Sequence, residues 1–121
     1  MANTSPLKSG DTSWWQKLDE DDIEEAREEA TVDCYDEYEQ HTGLLTAVGD
    51  ELVFPFQARV IGEVVTIVDM EWPEDSEFGL DLIVERNDIR HRVDARSVEL
   101  LGPLPDGHLL LAAYLAWKRF V

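Results

Sequence analysis

The chain has 121 residues, and its 27 acidic and 10 basic residues give a formal net charge of −17. A charge of this size and sign repels nucleic acid and anionic membrane surfaces, and it attracts cations or basic partners. Apolar residues make up 44% of the chain, which is enough for one domain with a small core.

The N-terminal region lacks the apolar stretch of a secretory signal. Residues 1–13 are polar and rich in Ser, Thr and Gly, so we predict a flexible leader. Trp14 marks the predicted start of a single domain that spans residues 14–121. No apolar run approaches the length that crosses a bilayer, and Cys34 has no second cysteine with which to form a disulfide. We therefore expect a cytoplasmic protein.

An acidic helix is the first predicted element. Residues 19–39 contain twelve acids and one base, Arg27. Apolar residues recur among the acids at helical spacing, and Gly43 is the predicted stop. The predicted buried face consists of Ile23, Ala26, Ala30, Cys34 and Tyr38.

The middle of the chain changes to the period of two that is typical of strands. We predict strands over residues 52–61, 63–70, 80–86 and 90–96, with turns at Gly62 and at Asn87–Asp88. Residues 97–102 are predicted to form a short helical turn that closes one end of a barrel.

Another helix ends the chain. Asp106 is its predicted N-cap, and its apolar face consists of Leu110, Ala113, Tyr114, Trp117 and Val121. The predicted fold class is therefore α+β. A small, strongly bent antiparallel sheet or SH3-like barrel of four or five strands is flanked by the acidic helix and the C-terminal helix.

The sequence offers little support for catalysis. It has no G-x-S-x-G elbow and no glycine-rich phosphate loop. Acidic neighbours raise the pKa of Cys34 and reduce its reactivity. His41, His91 and His108 share no zinc-ligand spacing, so we predict surface or strand-end positions for them. We expect a protein that is not an enzyme.

A hard cation suits a carboxylate-rich chain, because Ca²⁺ takes six to eight oxygen ligands in a flexible geometry. An EF-hand loop requires Gly at its sixth position and Glu at its twelfth. Loops that begin at Asp69, at Asp75 or within residues 19–25 do not provide both. Any calcium site must therefore be built in another way.

The first predicted site is the acidic stretch of residues 69–81, DMEWPEDSEFGLD. Two acids at a strand end point the same way, and the bend at Pro73 lets the following acids fold back towards them. The alternative is a well-solvated hairpin loop. The predicted metal ligands here are Asp69, Glu71, Glu74, Asp75, Glu77 and Asp81.

The second predicted site lies on the acidic helix. Acids at helical spacing form one stripe, which could share a cation with Asp50 or Glu51 from the following segment. The alternative is a plain solvent-facing stripe. The stripe consists of Glu29, Asp33, Asp36 and Glu37, and we predict Asp33 and Glu37 as metal ligands.

Five stretches of the chain resemble the small acidic calcium-binding proteins known from cyanobacteria, the CcbP type. The Phe-Pro-Phe strand is the most specific of them. In chain order, the stretches are Val32-Asp-Cys-Tyr35, Leu52-Val-Phe-Pro-Phe-Gln-Ala-Arg59, Gly62-Glu-Val-Val-Thr-Ile67, Val93 with Val98-Glu-Leu100, and Tyr114-Leu-Ala-Trp117.

The resemblance implies a bacterial calcium-binding protein that buffers free cytosolic calcium. Because neither predicted site is a closed loop, we expect a dissociation constant of about 10⁻⁵–10⁻³ M and poor competition by Mg²⁺. Two other functions stay open. The chain could be an SH3-like interaction module for a basic protein partner, or an acidic decoy that mimics nucleic acid. We expect a monomer.

Overall fold

The computed structural model describes residues 14–72 and 79–118. Within them lie three α-helices, α1 (Glu20–Ala30), α2 (Glu37–Glu51) and α3 (His108–Lys118). The strands are β1 (Phe56–Val60), β2 (Glu63–Glu71), β3 (Asp81–Arg86), β4 (Ile89–Asp94) and β5 (Glu99–Leu100). The predicted leader, residues 1–13, lies outside the described residues.

The strands form one antiparallel sheet in the order β4-β3-β2-β1-β5. The hairpin between β3 and β4 follows from local turn chemistry. Asn87 and Asp88 both take positive φ angles between β3 and β4, a conformation that these residue types tolerate well. The predicted α+β class is confirmed, and the antiparallel sheet of four or five strands, flanked by acidic and C-terminal helices, has five strands.

The prediction for residues 97–102 was wrong. A 3-10 turn occupies Ala95–Ser97, and the next residues extend into β5. Leu100 pairs with Ala58 of β1, and Glu99 pairs with Arg59. The free edge of β1 supplies backbone partners for this segment, and that long-range pairing outweighs its local helical preference.

The prediction of a single helix over residues 19–39 was also wrong. The first helix ends at Ala30, and a second helix begins at Glu37. The Asp36 side chain accepts a hydrogen bond from Glu39 N at 2.8 Å and caps α2. Cys34 therefore lies in the connector between two helices. Tyr38, which was predicted to be buried, is 59% exposed.

Gly43 lies inside α2, where it does not stop the helix. A Cβ atom at this position would be 2.9 Å from Cys34 Sγ and 3.0 Å from the Ala30 carbonyl oxygen. The missing side chain lets the N-terminal half of α2 approach the end of α1 closely. The residue that resembled a stop signal is thus a packing residue.

The core is one cluster that joins the inner face of the sheet to α2 and α3. Five consecutive residues of α3, Leu111 to Leu115, are buried, so this helix is enclosed on all sides. The prediction that α3 buries a single apolar face was therefore too narrow, because side chains all around the helix are buried. The helix begins at His108, two residues after the predicted cap Asp106, and Val121 lies outside the described residues.

His41 was predicted to lie at the surface, but only 3% of it is exposed. Gly79 N donates to its Nε2 at 3.1 Å, and Tyr114 Oη lies 3.2 Å from the same nitrogen. Burial raises the pKa of Tyr114, and nearby Asp94 raises it further, whereas the Gly79 N–H opposes the shift. The cluster ties α2 and α3 to the segment that enters β3.

Two glycine substitutions in α2 should change stability in opposite directions. Gly43→Ala forces contacts near 3 Å with Cys34 and with the Ala30 backbone, so we expect a loss of about 1–3 kcal/mol. Gly49→Ala has open space, with its nearest contact at 3.8 Å, and should gain about 0.5–1 kcal/mol from helix propensity. Urea unfolding measures both, and a stabilised Gly43→Ala variant would contradict the close approach.

Removal of the His41 acceptor should also destabilise the fold. His41→Phe leaves the Gly79 N–H without its observed acceptor in a shielded position, which costs about 1–3 kcal/mol. Tyr114→Phe removes only the hydroxyl group and should cost less, about 0.5–1.5 kcal/mol. Urea unfolding of both variants tests the order, and an equal or reversed order would show that His41 does not anchor Gly79.

Candidate functional site

Arginines on the sheet and its turns are paired with carboxylates. Arg92 contacts both Glu71 and Asp81, and Arg96 makes two hydrogen bonds to Asp94. The other pairs are Arg59–Glu99, Arg86–Glu63 and Arg90–Glu85. Residues 53–72 and 79–100 together hold eight acids and five bases, so much of their charge is neutralised locally.

The helical segment before the sheet is different. Residues 14–52 hold fourteen acids and only two bases, Lys17 and Arg27. Arg27 pairs with Glu24 in the same helix. Most of the excess negative charge therefore lies on α1, α2 and their connector, and this is where a cation gains the most electrostatic energy.

At the first predicted site, the described acids lie on adjacent strands. Glu71 of β2 is the direct partner of Asp81 of β3, and Arg92 contacts both side chains. Asp69 is exposed and accepts a hydrogen bond from the next backbone N–H. Burial raises the pKa of Asp81, and the neighbouring Asp94 raises it further. A cation here would compete with Arg92.

The other three predicted ligands of that site, Glu74, Asp75 and Glu77, lie outside the described residues. Their role as ligands stays a prediction, as does that of Asp69, Glu71 and Asp81.

At the second predicted site, Asp33 lies in the exposed connector and Glu37 is the first residue of α2. The break between the helices divides the predicted stripe, which leaves Glu29 on α1 and Asp33 and Glu37 beyond its end. Their role as metal ligands stays a prediction.

A cavity of about 540 Å³ brings together four other carboxylates. Glu29 comes from the last turn of α1, Asp50 and Glu51 from the last turn of α2, and Asp106 from the segment before α3. The apolar residues that line the cavity are Ala26, Ala30, Ala47, Leu109 and Leu110. Of the predicted acidic stripe, Glu29 lines this cavity with Asp50 and Glu51, whereas Asp33, Asp36 and Glu37 are not among its lining residues. A cation shared between the stripe and Asp50 or Glu51 stays a prediction.

The backbone adds to the negative potential of the cavity. Two helices end here, and each C-terminus carries about half a negative charge against a similar positive charge at the start of α3. No basic residue occupies the last turn of α2. Gly107 (φ +89°) permits the approach of α3, because a Cβ atom there would lie 2.5 Å from the Glu51 carbonyl oxygen.

The carboxylates line the cavity without closing on one point. Among residues 14–72 and 79–118, no three His, Cys, Asp or Glu side chains are close enough together to hold a metal ion. A cation here would keep much of its hydration shell, or the acids would have to move inwards.

The sequence predicted Asp106 as the N-cap of the last helix and not as a residue that lines a cavity. Its side chain was interpreted as a helix cap, whereas its backbone carbonyl accepts a hydrogen bond from Val53 N at 3.0 Å. That bond ties the entry of α3 to the segment that follows α2. No local sequence signal places Asp106 beside Glu29, because their proximity depends on how three helices pack.

None of the helices in the described part of the chain is long and apolar enough to cross a membrane.

Comparison with known proteins identifies the fold. No protein-family model matches the sequence, and no curated protein matches it. The crystal structure of Anabaena CcbP is similar to this chain, with a TM-score of 0.66 and 21% sequence identity over 84% of this chain and 92% of that chain. At this identity the similarity establishes the fold and not the activity. The resemblance to the CcbP type is confirmed at the level of the fold.

Proposed function

We propose that this protein binds Ca²⁺ through carboxylates outside any EF-hand, and that it acts as a cytoplasmic calcium buffer without catalytic activity. The observation that carries the proposal is the uneven charge. Fourteen acids face two bases in residues 14–52, while the arginines of the sheet are paired. The shared fold with CcbP, whose family the sequence resembles, supports the same function.

The donor chemistry suits calcium better than softer metals. The cavity offers carboxylate oxygens and backbone carbonyl groups, which are the ligands that Ca²⁺ takes. His108 is the only nitrogen or sulfur ligand type among the residues that line it, whereas zinc sites use several His or Cys ligands. Calcium tolerates loose and partly hydrated coordination, and Mg²⁺ requires a tight octahedron.

Two regions are candidates for the ion. The helical cavity is lined by Glu29, Asp50, Glu51 and Asp106, and no lysine or arginine is among the described residues of its wall. In the acidic stretch 69–81, Arg92 already contacts two of the predicted ligands. An ion bound there must displace Arg92 or share its carboxylates with it. The unpaired carboxylates make the helical cavity the stronger candidate.

Calcium should raise the melting temperature, because it binds the folded state. With a dissociation constant of about 10⁻⁵–10⁻³ M, Ca²⁺ at about 1 mM adds roughly 0.4–2.7 kcal/mol. For a domain of this size, that gain corresponds to about 2–10 °C. Thermal melts in EDTA, Ca²⁺ and Mg²⁺ measure the effect, and we expect a smaller shift with Mg²⁺.

Ionic strength must be matched in these melts, because any salt screens repulsion in so acidic a chain. A NaCl sample at the same ionic strength is the control. An equal rise in melting temperature for NaCl, Mg²⁺ and Ca²⁺ would reduce the effect to screening and would contradict the proposed function.

Paired substitutions should locate the ion. Asp50→Asn with Glu51→Gln removes two charges from the helical cavity, and Asp75→Asn with Glu77→Gln removes two from the acidic stretch. Loss of two ligands should weaken binding by about tenfold or more, since each ligand oxygen contributes to the affinity. Isothermal titration calorimetry with Ca²⁺ gives the constants, and we expect the larger loss in the cavity variant.

The matched control is Asp22→Asn with Glu25→Gln, two exposed acids of α1 that do not line the cavity. This variant loses the same net charge but keeps the carboxylates that line the cavity. It should therefore bind calcium nearly as tightly as the parent chain. Equal weakening in all three variants would mean that calcium responds to overall charge and occupies no defined site.

A further inference from the structure

The connector between α1 and α2, together with the first turn of α2, exposes three large apolar side chains that are not part of the core cluster. The exposed fractions are 76% for Val32, 88% for Tyr35 and 59% for Tyr38. These residues, which we name the connector patch, lie within seven positions of the chain. Tyrosine is enriched at interaction surfaces, so exposed tyrosines this close in the chain make the segment a candidate for one.

Acidic side chains surround the connector patch in sequence, and no basic residue interrupts them. Asp33, Asp36, Glu37 and Glu39 all lie in or beside it, and the chain has no Lys or Arg between Arg27 and Arg59. Partial burial raises the pKa of the Cys34 thiol, and the carboxylates of Glu39, Asp33 and Asp36 raise it further. The carboxylates of all three residues thus affect the same group, the Cys34 thiol of the connector.

The connector is held by its own hydrogen bonds. Cys34 N donates to Thr31 O at 3.0 Å, and Tyr35 N donates to Glu39 Oε1 at 2.7 Å. Asp36 Oδ1 accepts from Glu39 N at 2.8 Å and so fixes the start of α2. A surface that is already ordered loses less entropy on binding than a flexible one.

We propose that the connector patch binds a basic protein segment that carries apolar residues among its arginines or lysines. The apolar residues of the segment would pack on Val32 and the tyrosine rings, while its cationic groups would pair with the surrounding carboxylates. Arginine and lysine also bind the faces of tyrosine rings. Val32 and the tyrosines are not among the predicted calcium ligands, and binding of the segment is measured in EDTA, so the proposal can fail or stand separately from the proposed function.

Charge complementarity selects this occupant over the others. Nucleic acid and anionic membranes are repelled by the carboxylates. A second copy of the chain would bring the same acidic side chains against each other, and like charges in contact oppose association. A basic segment without apolar residues would leave the tyrosine rings in water.

The test measures fluorescence anisotropy of a short labelled peptide of arginine and leucine, in EDTA and at about physiological salt, where long-range attraction is screened. A second peptide replaces each leucine with serine and keeps the charge. We expect tighter binding of the leucine peptide. Tyr35→Ser with Tyr38→Ser should weaken that binding by about tenfold or more, as loss of aromatic anchors does, and should remove the preference for leucine.

Two further variants keep the test specific. Val64→Ser with Ile89→Ser removes two apolar side chains that are each 57% exposed elsewhere on the surface, and it should bind as the parent chain does. Tyr35→Phe with Tyr38→Phe keeps the rings and should retain binding. Thermal melts confirm that all the variants fold, which we expect because the substituted side chains are exposed.

Three results would overturn the proposal. The parent chain could bind both peptides equally, the serine variant could bind as tightly as the parent, or the Val64 and Ile89 control could lose as much affinity. Sedimentation equilibrium tests whether a second copy of the chain binds the connector patch. Self-association that disappears with Tyr35→Ser and Tyr38→Ser would assign the connector patch to a second copy and would also overturn the proposal.

Discussion

The burial of α3 is the constraint on which the rest of the structure depends. Helix α1 carries seven acids and a single base in eleven residues, and like charges three and four positions apart destabilise a helix. Its stability must come from contact with the rest of the fold. α3 packs against both α1 and α2, and its residues Leu111 to Leu115 are all buried. An apolar helix at the centre thus holds together the acidic helices that would otherwise repel each other.

The same arrangement separates the charge. Strand pairing places arginines opposite or beside carboxylates, as at Arg59 and Glu99 on adjacent strands β1 and β5, so the sheet is largely compensated. The helical segment has too few bases for such pairing. Its charge repulsion is an energetic cost in the folded state that a bound cation or a basic partner would reduce. Among the described residues this cost is concentrated in the helical segment, where a positively charged ligand would reduce it most.

Strands β1 to β4 were predictable from the sequence because their signals are local, whereas β5 depends on long-range pairing with β1. Alternation, Gly62 and Asn87–Asp88 set these four strands and their turns. The helix break was missed because Ala30, Cys34 and Tyr38 continue the apolar spacing across it. Asp36 followed three positions later by Glu39 was the capping signal that marks the start of α2. His41 precedes Leu44, Leu45 and Val48 at helical spacing, which would have placed it in the core. The cavity was not predictable, since it brings Asp106 beside two helix ends through packing alone.

The two proposed ligands would act on each other through the electrostatic field they share. Calcium in the helical cavity would reduce the negative potential of α1 and α2, and the connector patch spans the connector of these helices and the first turn of α2. A basic segment would then bind less tightly, and by thermodynamic reciprocity its binding would weaken calcium by the same factor. The Debye length of about 8 Å at physiological salt limits this coupling to neighbouring groups. Antagonism that fades as salt is added would therefore distinguish a shared field from a change of conformation, because a conformational coupling does not depend on screening to the same degree.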